Sequence, residues 1–183
     1  MLPFIKKNIY REVVLNKFAA ISKDTVYNFL KSPHSNWRMF IIKLAVRLFT
    51  FFDALTSDRK DKVLIIDDSP FIKDRPSKLK LMARCHYHSK NSFYKGFKLL
   101  TMGWPDGCSF VPAFFSLLSS ANVKNRYNGI LQNLDSRTNV YKRRMESLMH
   151  APDIALIFIK DALRYGLQAK AVVFDSWFGT KNL

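Results

Sequence analysis

Residues 63–71 read VLIIDDSPF, an apolar run of strand character that passes straight into two carboxylates, Asp67 and Asp68. A second such run, AVVFDSWFG at 171–179, carries one acid, Asp175. Carboxylates brought together at the ends of neighbouring buried strands repel each other unless a cation lies between them. Hard oxygen ligands suit Mg²⁺ (or Mn²⁺), the usual metal of phosphate chemistry. Two such ions about 3.5–4 Å apart activate a water or a 3′ hydroxyl and stabilise the leaving oxygen of an in-line phosphoryl displacement. Side chains alternate along a strand, so Val63, Ile65 and Asp67 share one face and Asp68 takes the other. An acid at a strand end is also a common turn former, and DDSP fits an Asx turn. Residue types alone leave both readings open.

Other groupings are weaker. In CHYH, His86 and His88 fall on one face of a strand with Cys85 on the other, and a zinc site would need a distant fourth ligand such as Cys108. Satisfied or exposed histidines are the simpler reading. Arg137, Lys142, Arg143 and Arg144 form the densest basic cluster. On a helix they fan over more than one face, as expected of phosphate contacts that position DNA without reading it, or of a solvated helix. Trp104 and Trp177 read as core or site-wall residues.

The elements that position these groups follow from periodicity. KVLIID is a continuous apolar run, suited to a central strand covered on both faces. A basic, loop-like stretch follows through KDRPSKLKLMARCHYHSKNS, then strands in YKGFKLLTMGW and CSFVPAFFSLLS. Pro105-Asp106-Gly107 between them predicts an antiparallel hairpin, and Pro112 places the third strand at a sheet edge. Residues 121–150 are polar and basic, a connector or contact surface. PDIALIFIKDALRYG predicts a helix opened by Pro152 and ended by Gly166, burying Ile154, Ile157, Phe158 and Ala162. A helix leading into the run at 171–175 suggests a crossover onto a parallel neighbour of the first strand. That order brings Asp67 and Asp175 side by side. Before Lys62 the pattern is helical, with Ser22 as an N-cap and a break at KSPHSN before Trp37.

Charge and composition bound the function. Thirty Lys and Arg against fourteen Asp and Glu leave a formal +16, spread over both parts of the 183-residue chain. A polyanion, nucleic acid first, is the natural partner; anionic lipid and a merely solvated surface share the same signature. MFIIKLAVRLFTFF is broken by Lys43 and Arg47 and falls short of the roughly 18 apolar residues of a membrane span. The start lacks the pattern of a secretory signal. Two cysteines make no disulfide framework and suit a reducing, cytosolic compartment.

The succession NWRMF, VLIIDDSPF, YKGFKLLTMGWPDGCSFVPAFFSLLSS, YKRRMESL and VVFDSWFG resembles the bacterial insertion-sequence transposases of the Asp-Asp-Glu class. The resemblance runs from about Asp24 to Phe178. It implies an α/β, ribonuclease-H-like mixed sheet, an antiparallel three-strand meander with a helix and a parallel fourth strand. It implies a partial catalytic core at 62–183 behind a helical, DNA-end-binding region at 1–61. The family's first catalytic Asp falls on Asp67, with Asp68 as competitor, and its second on Asp175. Mg²⁺ or Mn²⁺ as cofactor, transposon-end duplex DNA as substrate and a bacterial cytoplasm follow from the same likeness.

The chain departs from the family at the third carboxylate, a Glu in the pattern Tyr-x2-Arg-x3-Glu-x6-Lys placed after the second Asp. The two glutamates are Glu12 and Glu146. Tyr141 and Arg144 have the right spacing, but the expected Glu position is Leu148, and Glu146 comes two residues early and ahead of Asp175. The expectation is a transposase fragment cut short before that motif, impaired in catalysis, incomplete at its sheet and prone to aggregate. The competing expectation is a non-catalytic DNA-binding protein that pairs with itself or with an intact transposase.

Overall fold

A computed structural model describes residues 22–55, 62–75, 78–87, 90–105, 110–130 and 133–175. It divides between Ser35 and Asn36 into two compact units. In the first unit, helix α1 (Lys23–Lys31) is capped as the sequence predicts: the Ser22 hydroxyl accepts the Thr25 backbone N–H at 3.1 Å.

The second unit opens with helix α2 (Trp37–Leu55), where the Asn36 side-chain oxygen accepts the Met39 N–H at 3.0 Å and so ends the KSPHSN break. Strands β1 (Val63–Ile72), β2 (Ala83–Tyr87), β3 (Ser92–Pro105) and β4 (Phe110–Leu118) follow. A short 3-10 turn at Val123–Asn125, helices α3 (Asn139–Glu146) and α4 (Ala151–Arg164), and strand β5 (Ala171–Phe174) complete it.

The long β3 is the spine of the sheet. It pairs antiparallel with β1 along one edge, and along the other with β2 over its first residues and β4 over its last. β5 lies parallel to β1 on the far side. An antiparallel meander, a helix and a strand returning parallel to the first make this a mixed α/β, ribonuclease-H-like arrangement. Pro112 sits on β4, which among the described residues pairs with β3 alone, beside a bulge at Ala113 where the register slips by one residue. The hairpin turn itself, residues 106–109, falls outside the described residues.

One face of the sheet carries the core. Leu64, Ile66, Leu100, Met102, Trp104 and Phe114 alternate onto it and meet Ile42, Ala45 and Phe49 of α2 and Ile154, Phe158 and Ala162 of α4. Phe49 meets Trp104 edge-on at 5.0 Å, and Phe114 stacks on Phe158 at 5.3 Å. Burying each such aromatic contributes about 1.5–3 kcal/mol. Helix α4 has Pro152 in its first turn and closes at Gly166, whose φ of 82° is open to glycine. There Gly166 N–H donates to Leu163 O and Leu167 N–H to Ala162 O, and Leu167 is buried behind them. The chain then enters β5 directly.

Two expectations change. The stretch at 73–92 is not all loop, because β2 lies within it. Its Ala-Arg-Cys-His-Tyr sequence has no apolar run to announce a strand; pairing with β3 and the complete burial of Ala83 hold it. The acids of VLIIDDSPF do not end β1 either. β1 continues to Ile72, paired with β3 residue by residue through Ile72↔Gly96. The apolar signal stops where helix cover stops, and the ladder does not need it.

Candidate functional site

Asp67 and Asp68 sit in mid-strand and part to opposite faces. Asp68 shares the face of Leu64 and Ile66, where its side chain is 14% exposed and forms an ion pair with Lys98 at 2.7 Å. It is therefore not the solvent- or turn-facing residue that its place before Ser-Pro suggests. Asp67 is exposed on the other face. One of its carboxylate oxygens accepts the Asp68 N–H at 2.8 Å, and the Thr101 hydroxyl donates to its carbonyl at 3.3 Å.

The parallel register pairs Val63 with Ala171, Leu64 with Val172, Ile65 with Val173 and Ile66 with Phe174. The next residue on each chain is an aspartate, Asp67 and Asp175. Registered residues of paired strands point to the same side, about 4.8 Å apart. Continued by one residue, that register assigns Asp67 and Asp175 to neighbouring positions on the face that α2 and α4 leave open, and Asp175 is exposed like Asp67. Two carboxylates there offer hard oxygen donors with water and phosphate free to complete a shell, as Mg²⁺ prefers. Among the described residues no third carboxylate, histidine or cysteine joins them to complete a protein cage.

Glu146 lies elsewhere. It is buried between α2, β4 and α3, where both Arg38 terminal nitrogens bond its carboxylate, one at 2.8 Å. Arg143 pairs with it at 2.5 Å, and the Ser116 hydroxyl donates to it at 2.7 Å. Burial, and then the neighbouring charge of Arg38, hold the Arg143 guanidinium below its ordinary value. Glu146 is a structural anion on the helix-covered face, in accord with its wrong spacing.

The basic cluster is partly spoken for. Arg137 forks onto Asp135 at 3.2 Å and Arg143 pairs with Glu146, whereas Lys142 is exposed at the surface of α3. His86 shares a 3.2 Å hydrogen bond with Asn91 and lies edge-on to Phe93. Cys85 is half-buried beside the Ala83 and Gly96 carbonyls, and burial pushes its thiol up. His88, Cys108 and Trp177 are outside the described residues. Lys98 and Arg38 were not singled out from sequence, since a lone cation in a strand or helix declares no partner. Arg38 does belong to NWRMF, one of the segments that carry the family likeness.

No helix among the described residues is long and apolar enough to cross a membrane. No curated protein and no solved structure matches the chain. The family described as DDE superfamily endonuclease matches residues 14–183, nearly the whole length. With this match and a ribonuclease-H-like mixed sheet, the chain belongs to the DDE superfamily endonuclease family.

Proposed function

We propose that the chain acts on duplex DNA as a transposase-type endonuclease, with Asp67 and Asp175 as ligands of a divalent cation. The observation that supports this is the β1–β5 register, whose last pair, Ile66 and Phe174, is followed on each chain segment by an aspartate. A bound Mg²⁺ or Mn²⁺ would polarise a phosphoryl oxygen and generate a nucleophile at neutral pH. The chain's own part is to hold two carboxylates on a rigid sheet and to keep Asp68 occupied with Lys98, away from that pair. The formal +16 draws the polyanionic substrate to an acidic centre that would otherwise repel it. Lys142 and Arg144 on α3, with Arg137 and Arg143, and the helical region ahead of β1, where Lys43 and Arg47 lie exposed on α2, supply phosphate contacts that position the duplex.

With two carboxylates and no third beside them among the described residues, this chain by itself is expected to cleave or join DNA slowly if at all. The same observation favours a second reading, a DNA-bound partner that pairs with an intact transposase of an insertion sequence.

The cation site is tested without catalysis. Mn²⁺ titration read by electron paramagnetic resonance, with duplex DNA present, should show one saturable site that disappears in Asp67→Asn and in Asp175→Asn. A chain that binds no Mn²⁺, or binds it unchanged in both variants, refutes the ligand assignment. Mg²⁺-dependent strand cleavage abolished by Asp67→Ala would establish the enzyme, and cleavage indifferent to that change would remove Asp67 from the chemistry.

A further inference from the structure

Three cations stand in a row across the far end of the sheet. Arg84 of β2 is paired in register with Lys95 of β3. Beyond the Ile72↔Gly96 pair the Lys73 N–H donates to the Lys95 carbonyl at 2.8 Å, which continues the ladder and puts Lys73 on the other flank of Lys95. Strands lie about 4.8 Å apart, so the row spans roughly 10 Å. Like charges directly opposite on neighbouring strands are destabilising. Among the described residues no carboxylate pairs with any of the three, Asp74 included.

Each cation instead lies against an aromatic ring. The Lys73 ammonium is 4.4 Å from the Phe71 centroid, the Arg84 guanidinium 3.9 Å from that of Phe93, and the Lys95 ammonium 5.1 Å from that of Tyr127. Phe93 and Tyr127 are themselves 59% and 52% exposed. The rings attract the charges and restrict the long side chains without neutralising them. Arg84 is exposed and Lys73 and Lys95 are half-exposed at the rim of the Leu81–Met82 cover, and such a row of pre-ordered, mutually repelling cations is complementary to a row of phosphates.

The row also lies on the face of the proposed cation site. Side chains alternate along β3, so Lys95, Phe97, Leu99 and Thr101 share a side, and Thr101 is the register partner of Asp67. Six residues of strand cover about 20 Å, or roughly six base pairs at 3.4 Å each. Between the two points Phe97 is buried beneath Leu81 and Met82. A stiff duplex that touches the surface at intervals bridges this block.

We infer that Lys73, Lys95 and Arg84 form a backbone-phosphate contact site for duplex DNA, about six base pairs from the phosphate presented to Asp67 and Asp175. The site rests on the duplex-DNA reading above and adds to it a second point of attachment, which fixes the direction in which the duplex leaves the carboxylates.

The test uses the full chain and a 25-base-pair DNA of mixed sequence, with affinity measured by fluorescence anisotropy across salt concentrations. Each phosphate contact contributes about 0.9 to the slope of log K against log salt. The triple variant Lys73→Gln/Arg84→Gln/Lys95→Gln should lower the slope by about 3, each single variant by about 1, and its melting temperature should not fall. Replacing three other exposed cations, Lys124, Lys160 and Arg164, by Gln should leave the slope nearly unchanged. If the native chain binds with a steep slope that the triple variant keeps, or that the control variant lowers equally, the site is refuted and the DNA reading stands. If the native chain binds the duplex without salt dependence, both fail. A loss seen with a 25-nucleotide single strand and not with the duplex also overturns the site.

Discussion

Glu146 shows how a residue can carry the right chemistry for a site and be committed elsewhere. Its carboxylate is 6% exposed and answers two guanidiniums and a hydroxyl, so it neutralises the Arg38 charge that α2 would otherwise bury unpaired. Removing one partner of such a group costs about 3–5 kcal/mol, because the other charge stays behind in low dielectric. Glu146→Ala should lose that much in urea unfolding, by the same amount with and without Mg²⁺; a Mg²⁺-dependent difference would return Glu146 to the metal site. Cys85 is a second case. Burial raises its thiol above the ordinary value, so less thiolate is present at pH 8 and its reaction with a disulfide reagent should be slower than that of a free thiol, measured in a Cys108→Ser background. The sign for stability follows: the benefit of keeping the thiol protonated is complete below the unfolded thiol's value and disappears as pH rises through the raised folded value. Reaction as fast as that of an unfolded control would contradict the burial.

At the scale of elements, legibility tracked the apolar pattern. The start of β1, the β3–β4 hairpin, α4 and β5 each carry a run or period that only one kind of element buries, and Pro112 and Gly166 mark an edge and a stop by backbone chemistry alone. That order of elements is enough to set β5 parallel beside β1, with Asp67 and Asp175 each directly following the last registered pair. Where pairing or ion pairs do the holding, the sequence is silent: β2 and the second half of β1 are held by the ladder without a continuous apolar run, and the Asp68–Lys98 pair and the Arg38–Glu146 clamp join charges far apart along the chain. Gly96 is the pivot of that silent region, paired with Ile72 on one side and Ala83 on the other. A Cβ there would lie 2.1 Å from the Phe71 carbonyl oxygen, and that oxygen belongs to a backbone that cannot step aside without opening the ladder. Gly96→Ala should therefore cost about 3 kcal/mol or more, at the upper end of ordinary substitutions. Gly129, around which a Cβ meets nothing within 4 Å, is the control and should stay within about 0.5 kcal/mol. Equal effects at the two glycines in thermal unfolding would show that the β1–β3 approach is not close.

Across the whole sheet-bearing unit the cover is one-sided. Both long helices lie on the Leu64–Met102 face, and the opposite face is shielded at the β2 end by Leu81 and Met82 but open around Asp67 and Asp175. Openness there is what a duplex requires, and it leaves β5 exposed along with the carboxylates. Among the described residues β5 is the last strand of the sheet, and Val173 and Phe174 are 51% and 37% exposed. A short apolar edge is a template for another chain, while a lysine on it opposes such pairing through charge. The protein should self-associate in a concentration-dependent way, and Val173→Lys should shift it toward monomer in light scattering. Because Val173 already faces water, the same change should leave the melting temperature of the monomer nearly unaltered. Association that survives Val173→Lys unchanged would move the contact away from β5, to the outer side of α2, where Phe40, Leu44 and Phe51 are also exposed; Phe51→Glu would then be the variant that dissolves it.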